Sequence, residues 1–186
     1  MDIVINSTPG SATANSLASE AEFIAYAATL TNVPADTTVD DVVGCTDTEK
    51  KALVMAFRAF NTLSWKARRT TATQSGCWPQ SYAENPDAPG LYGTPSWDDL
   101  YFDDDEVPNR VKYGQIELAL EIIRSGTTDV FAADENQGVI RKKTDVLETE
   151  WTPYARAQGM NRYPKVMEQI GPMLANTDGG LTVARQ

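Results

Sequence analysis

Six carboxylates crowd into nine positions of the chain: Asp98, Asp99, Asp103, Asp104, Asp105 and Glu106. Oxygen-rich clusters of this kind hold hard cations. This one lacks the spacing and the glycine of an EF-hand loop, and its simpler reading is a solvated acidic loop that complements the dipole of a following helix. Glu148 and Glu150 lie two apart, on one face of a strand. A glycosidase pair needs two carboxyls about 5–10 Å apart across a cleft, and alternation alone does not provide one. Pairing with Arg141 and Lys143 is the more economical role. Cys77 sits beside Trp78, but the chain has no histidine. That absence removes the commonest general base, the usual Ser and Cys triads, and most zinc and haem sites. Cys77 therefore reads as a small buried residue. No glycine-rich phosphate loop is present. We expect no catalytic residue, no metal and no cofactor, and expect the chain not to be an enzyme.

One stretch remains. Trp65, Lys66, Arg68 and Arg69 are followed by Gln74-Ser75-Gly76-Cys77-Trp78-Pro79, with no acid between them. Trp65, Arg68, Arg69 and Trp78 have the types to stack on single-stranded bases and neutralise phosphates. The simpler reading is an interface or a core tryptophan pair with arginines on its rim.

The charge distribution weighs on that choice. Residues 1–51 carry net −6, residues 52–83 net +4, residues 84–106 net −8, and residues 107–186 balance, for −10 in total. Nucleic-acid affinity comes from basic patches that release counterions, and here the basic island stands against −14 in the remainder. Pairing of Arg68 and Arg69 with acidic loops of the same or an adjacent subunit is the expectation.

The elements that must position these groups follow from capping and periodicity. Residues 1–18, rich in Ser, Thr, Ala and Gly, read as an extended arm. Ser19 to Glu22 is a capping box, and the helix it opens runs to about Leu30. Thr46 to Glu49 is a second box. Its helix carries Ala52, Leu53, Ala56, Phe57, Phe60 and Leu63 on one face through about Trp65. Residues 79–105 hold Pro79, Pro86, Pro89 and Pro95 among Tyr82, Tyr92, Trp97, Tyr101 and Phe102, so no helix crosses them. The aromatics argue for packing on a partner or back over the core. Asp105 to Pro108 opens a third helix, whose wide apolar stripe suggests burial on two sides, by its own core and by a neighbouring subunit. Gly126 is its stop signal. Val139 to Lys143 and Val146 to Trp151 read as a hairpin, and with Thr144-Asp145 as the turn, Arg141 lies opposite Glu148. Tyr163-Pro164 starts a closing helix, and residues 175–186 read as a tail. The expectation is a mainly α fold: a small helical bundle with one β-hairpin and long loops or arms, in a single domain over 19–174. Cys45 and Cys77 fit free thiols in a reducing cytoplasm, with a single disulfide as the alternative. No signal peptide and no membrane span are read.

The ordered segments resemble the head-to-tail adaptor (head-completion or connector) proteins of tailed bacteriophages, relatives of which are often labelled DnaT-like single-stranded DNA-binding proteins. The resemblance rests on Asn15 to Phe23, on Ala52 to Trp65 with Arg68, on Gln74 to Pro79, on Val107-Pro108 to Leu120, on Gly138 to Trp151, and on Tyr163-Pro164 to Leu174. Ala67 and Gln80 depart from the family's glycine and arginine. The resemblance implies a structural virion protein at the head–tail interface, assembled in the host cytoplasm. It implies a ring of about twelve copies, with the portal and a stopper or tail-terminator protein as partners. Trp65, Arg68, Arg69, Trp78, Arg141, Glu148, Glu150 and Trp151 are then interface candidates. Asp98, Asp99, Asp103 and Asp104 are candidates for lining a channel through which DNA passes without specific binding. The alternative is a single-stranded DNA-binding, DnaT-like protein; a metal-dependent hydrolase using the 98–106 acids is the third possibility.

Overall fold

Two capping boxes start the fold. In α1 (Glu20–Ala28) the Ser19 hydroxyl accepts from the Glu22 backbone N–H at 3.2 Å, and Glu22 Oε2 accepts from the Ser19 N–H at 2.7 Å. In α2 (Asp47–Asn61) Thr46 and Glu49 repeat the exchange. Each box satisfies two of the donors that a helix N-terminus leaves orphaned. The computed structural model describes residues 3–30, 44–88, 100–126, 130, 139–143, 148–151 and 159–175, the strand segments 139–143 and 148–151 as backbone.

Helix α3 (Asn109–Ser125) is the centre of the protein. It begins at Asn109, so the acids at 105 and 106 precede it and Pro108 is its N-cap. Gly126 ends it in the left-handed region at φ 62, where a Cβ would be strained. Val111, Gly114, Gln115, Ile116, Glu117, Leu118, Ala119, Leu120 and Ile122 are all buried. The width of this stripe needs no neighbouring subunit. Helix α2 packs along α3, α4 (Pro164–Ile170) packs on it too, and α1 touches it as well. Gly114 is where α4 comes closest: a Cβ there would stand 2.7 Å from Ile170 Cγ2. Pro at the first turn of α4 suits a position whose N–H is orphaned anyway. A short 3-10 turn (Gly171–Met173) follows.

Helix α2 stops at Asn61, short of the expected Trp65. Thr62 caps it, and the Trp65 indole N–H donates to the Phe60 carbonyl at 3.1 Å, satisfying one acceptor of the last turn. Trp65 then pairs with Leu174 in an isolated antiparallel bridge, and the Lys66 N–H donates to the Met173 carbonyl at 3.0 Å. Beyond it, β1 (Arg68–Arg69) pairs antiparallel with β2 (Gln80–Ser81). Two-residue strands carry no periodicity, so this ladder has no sequence signal.

The second hairpin, β3 (Val139–Lys143) and β4 (Glu148–Trp151), is antiparallel as expected but in a different register. Arg141 is opposite Glu150 and Lys143 opposite Glu148, with an irregularity between Val139 and Arg141. The expected Arg141–Glu148 pair is therefore not made, and residues 144–147 lie outside the described residues. In this register the basic positions 141 and 143 are still paired with acidic positions, 150 and 148. The fold is mainly helical with these small antiparallel elements.

Residues 3–18 do not extend away from the domain. The Asn6 N–H donates to Asn15 Oδ1 and Asn15 Nδ2 to the Val4 carbonyl, both at 2.8 Å, closing a loop. Ser16, Leu17 and Ala18 are buried. Gln115, fully buried on α3, accepts from the Leu17 and Ala18 N–H groups and donates to Ser16 Oγ and the Leu53 carbonyl. All four capacities of its amide are filled. The 31–43, 89–99, 152–158 and 176–186 stretches, including the expected tail, lie outside the described residues.

Candidate nucleic-acid interface

The basic corner is built by a loop that staples itself. Between β1 and β2, Gln74 is buried and accepts from the Thr71 N–H at 2.9 Å while donating to the Gly76 and Pro79 carbonyls at 3.1 and 2.9 Å. Gln80, also buried, donates to the Cys77 carbonyl at 2.9 Å. Ser75 ties the loop to the N-terminal segment through the carbonyls of Ser11 and Ala14. Buried amides with filled hydrogen bonds fix a loop where apolar contacts cannot. Neither glutamine stands out as functional in the sequence, because a lone Gln has no pattern.

Within this frame the four candidates divide. Trp78 is 2% exposed. It meets Trp65 edge to face, with centroids 5.7 Å apart, and Phe102 at 6.1 Å. Trp65, half-buried, also contacts Phe60 at 5.9 Å. These rings are the roof of the core. The return of the 100–106 segment over Trp78, with Phe102 N–H on the Ala83 carbonyl at 2.9 Å and Glu84 bridged to Tyr101, closes it. The described part of the long aromatic loop thus folds back on its own domain.

Arg68 and Arg69 face solvent, as do Lys66 and the Thr70–Thr73 turn. Among the described residues none of Lys66, Arg68 and Arg69 is in an ion pair; Arg69 donates to the Gln74 carbonyl at 3.5 Å. The expected pairing with acidic loops is therefore not made by these side chains within the described chain. Asp103 and Asp104 are exposed, and the Asp104 carbonyl accepts from the Thr70 hydroxyl at 2.7 Å, which brings the acidic turn to the end of the basic corner without an ion pair. Asp98 and Asp99 lie outside the described residues. Tyr82 follows β2 directly, is 71% exposed, and has φ 58. Arg141, Glu148, Glu150 and Trp151 belong to the β3–β4 hairpin, whose ladder positions are given above.

Other titratable groups are occupied structurally. Burial pushes both thiols up to about 12, and both cysteines are free. Burial also raises Tyr26, reinforced by its hydrogen bond to Glu117 at 2.9 Å. Glu22 is held below the ordinary carboxylate range: burial works against this, but hydrogen bonds from Lys112 and Ser19 outweigh it. Among the described residues no group of three or more His, Cys, Asp or Glu is placed to hold a metal ion, and no helix is long and apolar enough to cross a membrane.

The whole chain, residues 1–186, matches the family described as "Putative DnaT-like ssDNA binding protein", and the protein belongs to that family. No curated protein and no solved structure matches it. This finding corrects the adaptor assignment. The virion connector role, the twelve-copy ring, the portal and stopper or tail-terminator partners, and the channel that DNA crosses without binding all rested on the resemblance. The family that covers the chain is instead the one named for DNA binding, and the wide apolar stripe offered in support of side-by-side ring packing is covered by α1, α2 and α4 of the same chain.

Proposed function

We propose that the protein binds single-stranded DNA through the exposed basic corner of Lys66, Arg68 and Arg69, without catalysing a reaction. The observation that carries this reading is the exposure of three neighbouring cations that no described carboxylate pairs, on a loop fixed by buried Gln74 and Gln80. Unpaired surface cations attract phosphates and release counterions on contact. A rigid loop also loses little entropy on binding. The family description supports the same reading. The absence of histidine and the two buried, protonated thiols support binding over catalysis.

The tryptophans have a supporting role here. Trp65 and Trp78 shape the corner from beneath, so base stacking is not theirs. Binding is weak and falls with salt, since the island of +4 acts against −14 elsewhere. An electrophoretic shift of a short oligonucleotide at low salt tests the proposal. The wild-type chain shifts it, and Arg68→Ala with Arg69→Ala removes the shift while the fold persists. A double variant that still shifts DNA like the wild type would place the site elsewhere.

A further inference from the structure

We propose that Tyr82 stacks on a base of the bound strand, and that its unfavourable backbone is retained to hold the ring in solvent one residue beyond the Arg68–Ser81 pair. This rests on the single-stranded DNA reading above and names the contact that would read the bases. At 71% exposed, Tyr82 stands apart from the other aromatics of the described residues; Tyr113, at 37%, is next among the exposed large aromatic side chains. Its ring contributes little to the core, and its hydroxyl makes no hydrogen bond among the described residues.

The backbone adds a second, independent observation. At φ 58, Tyr82 is the single non-glycine residue with positive φ among those described. That region is disfavoured for bulky side chains and is usually filled by Gly, Asn or Asp. The chain is pinned on both sides of it: Ser81 is paired with Arg68, and Ala83 is buried with its carbonyl accepting from Phe102. The turn is therefore imposed, and a glycine would make it with less strain. Among the described residues this tyrosine neither packs nor hydrogen-bonds, so no contact there accounts for it at the position. Strained residues persist where the surroundings over-determine them, and they cluster at binding sites.

The surroundings supply the chemistry. Tyr82 follows the Arg68–Ser81 pair by one residue, so its ring leaves the chain at the end of the ladder that carries Arg68 and, beyond it, Lys66. Single-strand binders combine a cationic track for the backbone with aromatic faces for the bases, and every base offers a π-face. The ligand implied is an unpaired strand without strong sequence preference; a duplex keeps its bases stacked internally and offers the ring nothing.

Anisotropy of a labelled oligothymidylate at fixed low salt tests this, with an abasic strand of equal length as the second ligand. Tyr82→Ala should weaken oligothymidylate binding by roughly 5- to 150-fold, the range of one stacked base, leave the salt slope unchanged, and leave abasic binding unchanged. Tyr82→Phe should restore most of the loss. Tyr82→Gly should melt higher than the wild type yet bind as weakly as Tyr82→Ala. If the wild type binds and Tyr82→Ala binds equally well, the stacking role falls while the basic site stands. An equal loss on the abasic strand also overturns stacking, since the ring would then act on fold or charge. If the wild type binds neither strand, both proposals fall.

Discussion

The indole rings of Trp65 and Trp78 meet at right angles, centroids 5.7 Å apart, and join Phe60 to Phe102 in one aromatic chain across the top of the core. Edge-to-face pairs of this kind add to the burial of the rings themselves. The two tryptophans of the basic corner are thereby committed to the fold, while Lys66, Arg68 and Arg69 stay exposed without an ion pair among the described residues. Trp78→Ala should therefore destabilise the protein by about 3–5 kcal/mol, the usual range for truncating a buried large aromatic. Urea unfolding measures this. A loss well under about 1 kcal/mol would mean that Trp78 is not packed as described.

Gly114 lets α3 and α4 approach. With Ile170 Cγ2 2.7 Å from the position of an added Cβ, Gly114→Ala should cost about 1–3 kcal/mol despite the better helix propensity of alanine. The denaturation midpoint should fall. A rise would show that the two helices have room to spare.

Gln115 holds the N-terminal segment. Gln115→Leu would leave the Leu17 and Ala18 N–H groups and the Leu53 carbonyl without this partner, at about 1–3 kcal/mol for each group that stays buried. Limited proteolysis should then cut within residues 3–18 at protease levels that spare the wild type. Unchanged protection would mean that buried Leu17 and the Ser75 hydrogen bonds to Ser11 and Ala14 anchor the segment without Gln115.

Stability should fall at both ends of the pH scale. The pKa of Glu22 is lowered on folding, so its contribution is present above the unfolded carboxylate value, near 4.5, and is lost as pH falls through the lower folded value. The thiols and Tyr26 are raised, so their contribution is complete below the unfolded values and declines as pH rises from about 9 toward 12. Melting temperature against pH, with Lys112→Met for the acid arm and Cys77→Ala for the alkaline arm, checks both. An alkaline arm unchanged by removing Cys77 would show that its thiol is not the group responsible. In the same terms, neither thiol should react with an alkylating reagent at neutral pH until the chain is unfolded.

Much of this is legible in the chain. The two capping boxes, Gly126 as the end of α3, Pro164 as the start of α4 and the mainly helical class all follow from local rules, and the structure has each of them. What local rules miss is tertiary. Trp65 lies beyond the end of its helix and bridges Leu174, far along the chain. Residues 3–18 look like an arm until Gln115 is seen to bind them. The β3–β4 register depends on a connection whose length the residue types leave open. The site shows the same division. The run from Arg58 to Arg69 without an acid is visible in one dimension, but the burial of Trp78 is not, nor is the positive φ of Tyr82, which no single sequence reveals at a tyrosine. The order of segments misled toward an adaptor, and the family that spans the chain is instead the one described as DnaT-like and ssDNA-binding.

The most direct test of the central claim is a salt titration of oligothymidylate binding by the wild type and by Arg68→Glu with Arg69→Glu. Three phosphate contacts, one each for Lys66, Arg68 and Arg69, predict a slope of about −2 for log K against log salt on a single strand. The double reversal should abolish binding at every salt concentration while the melting temperature stays near that of the wild type. Folded wild-type protein with no measurable affinity at low salt, or a double reversal that binds as the wild type does, would contradict the account.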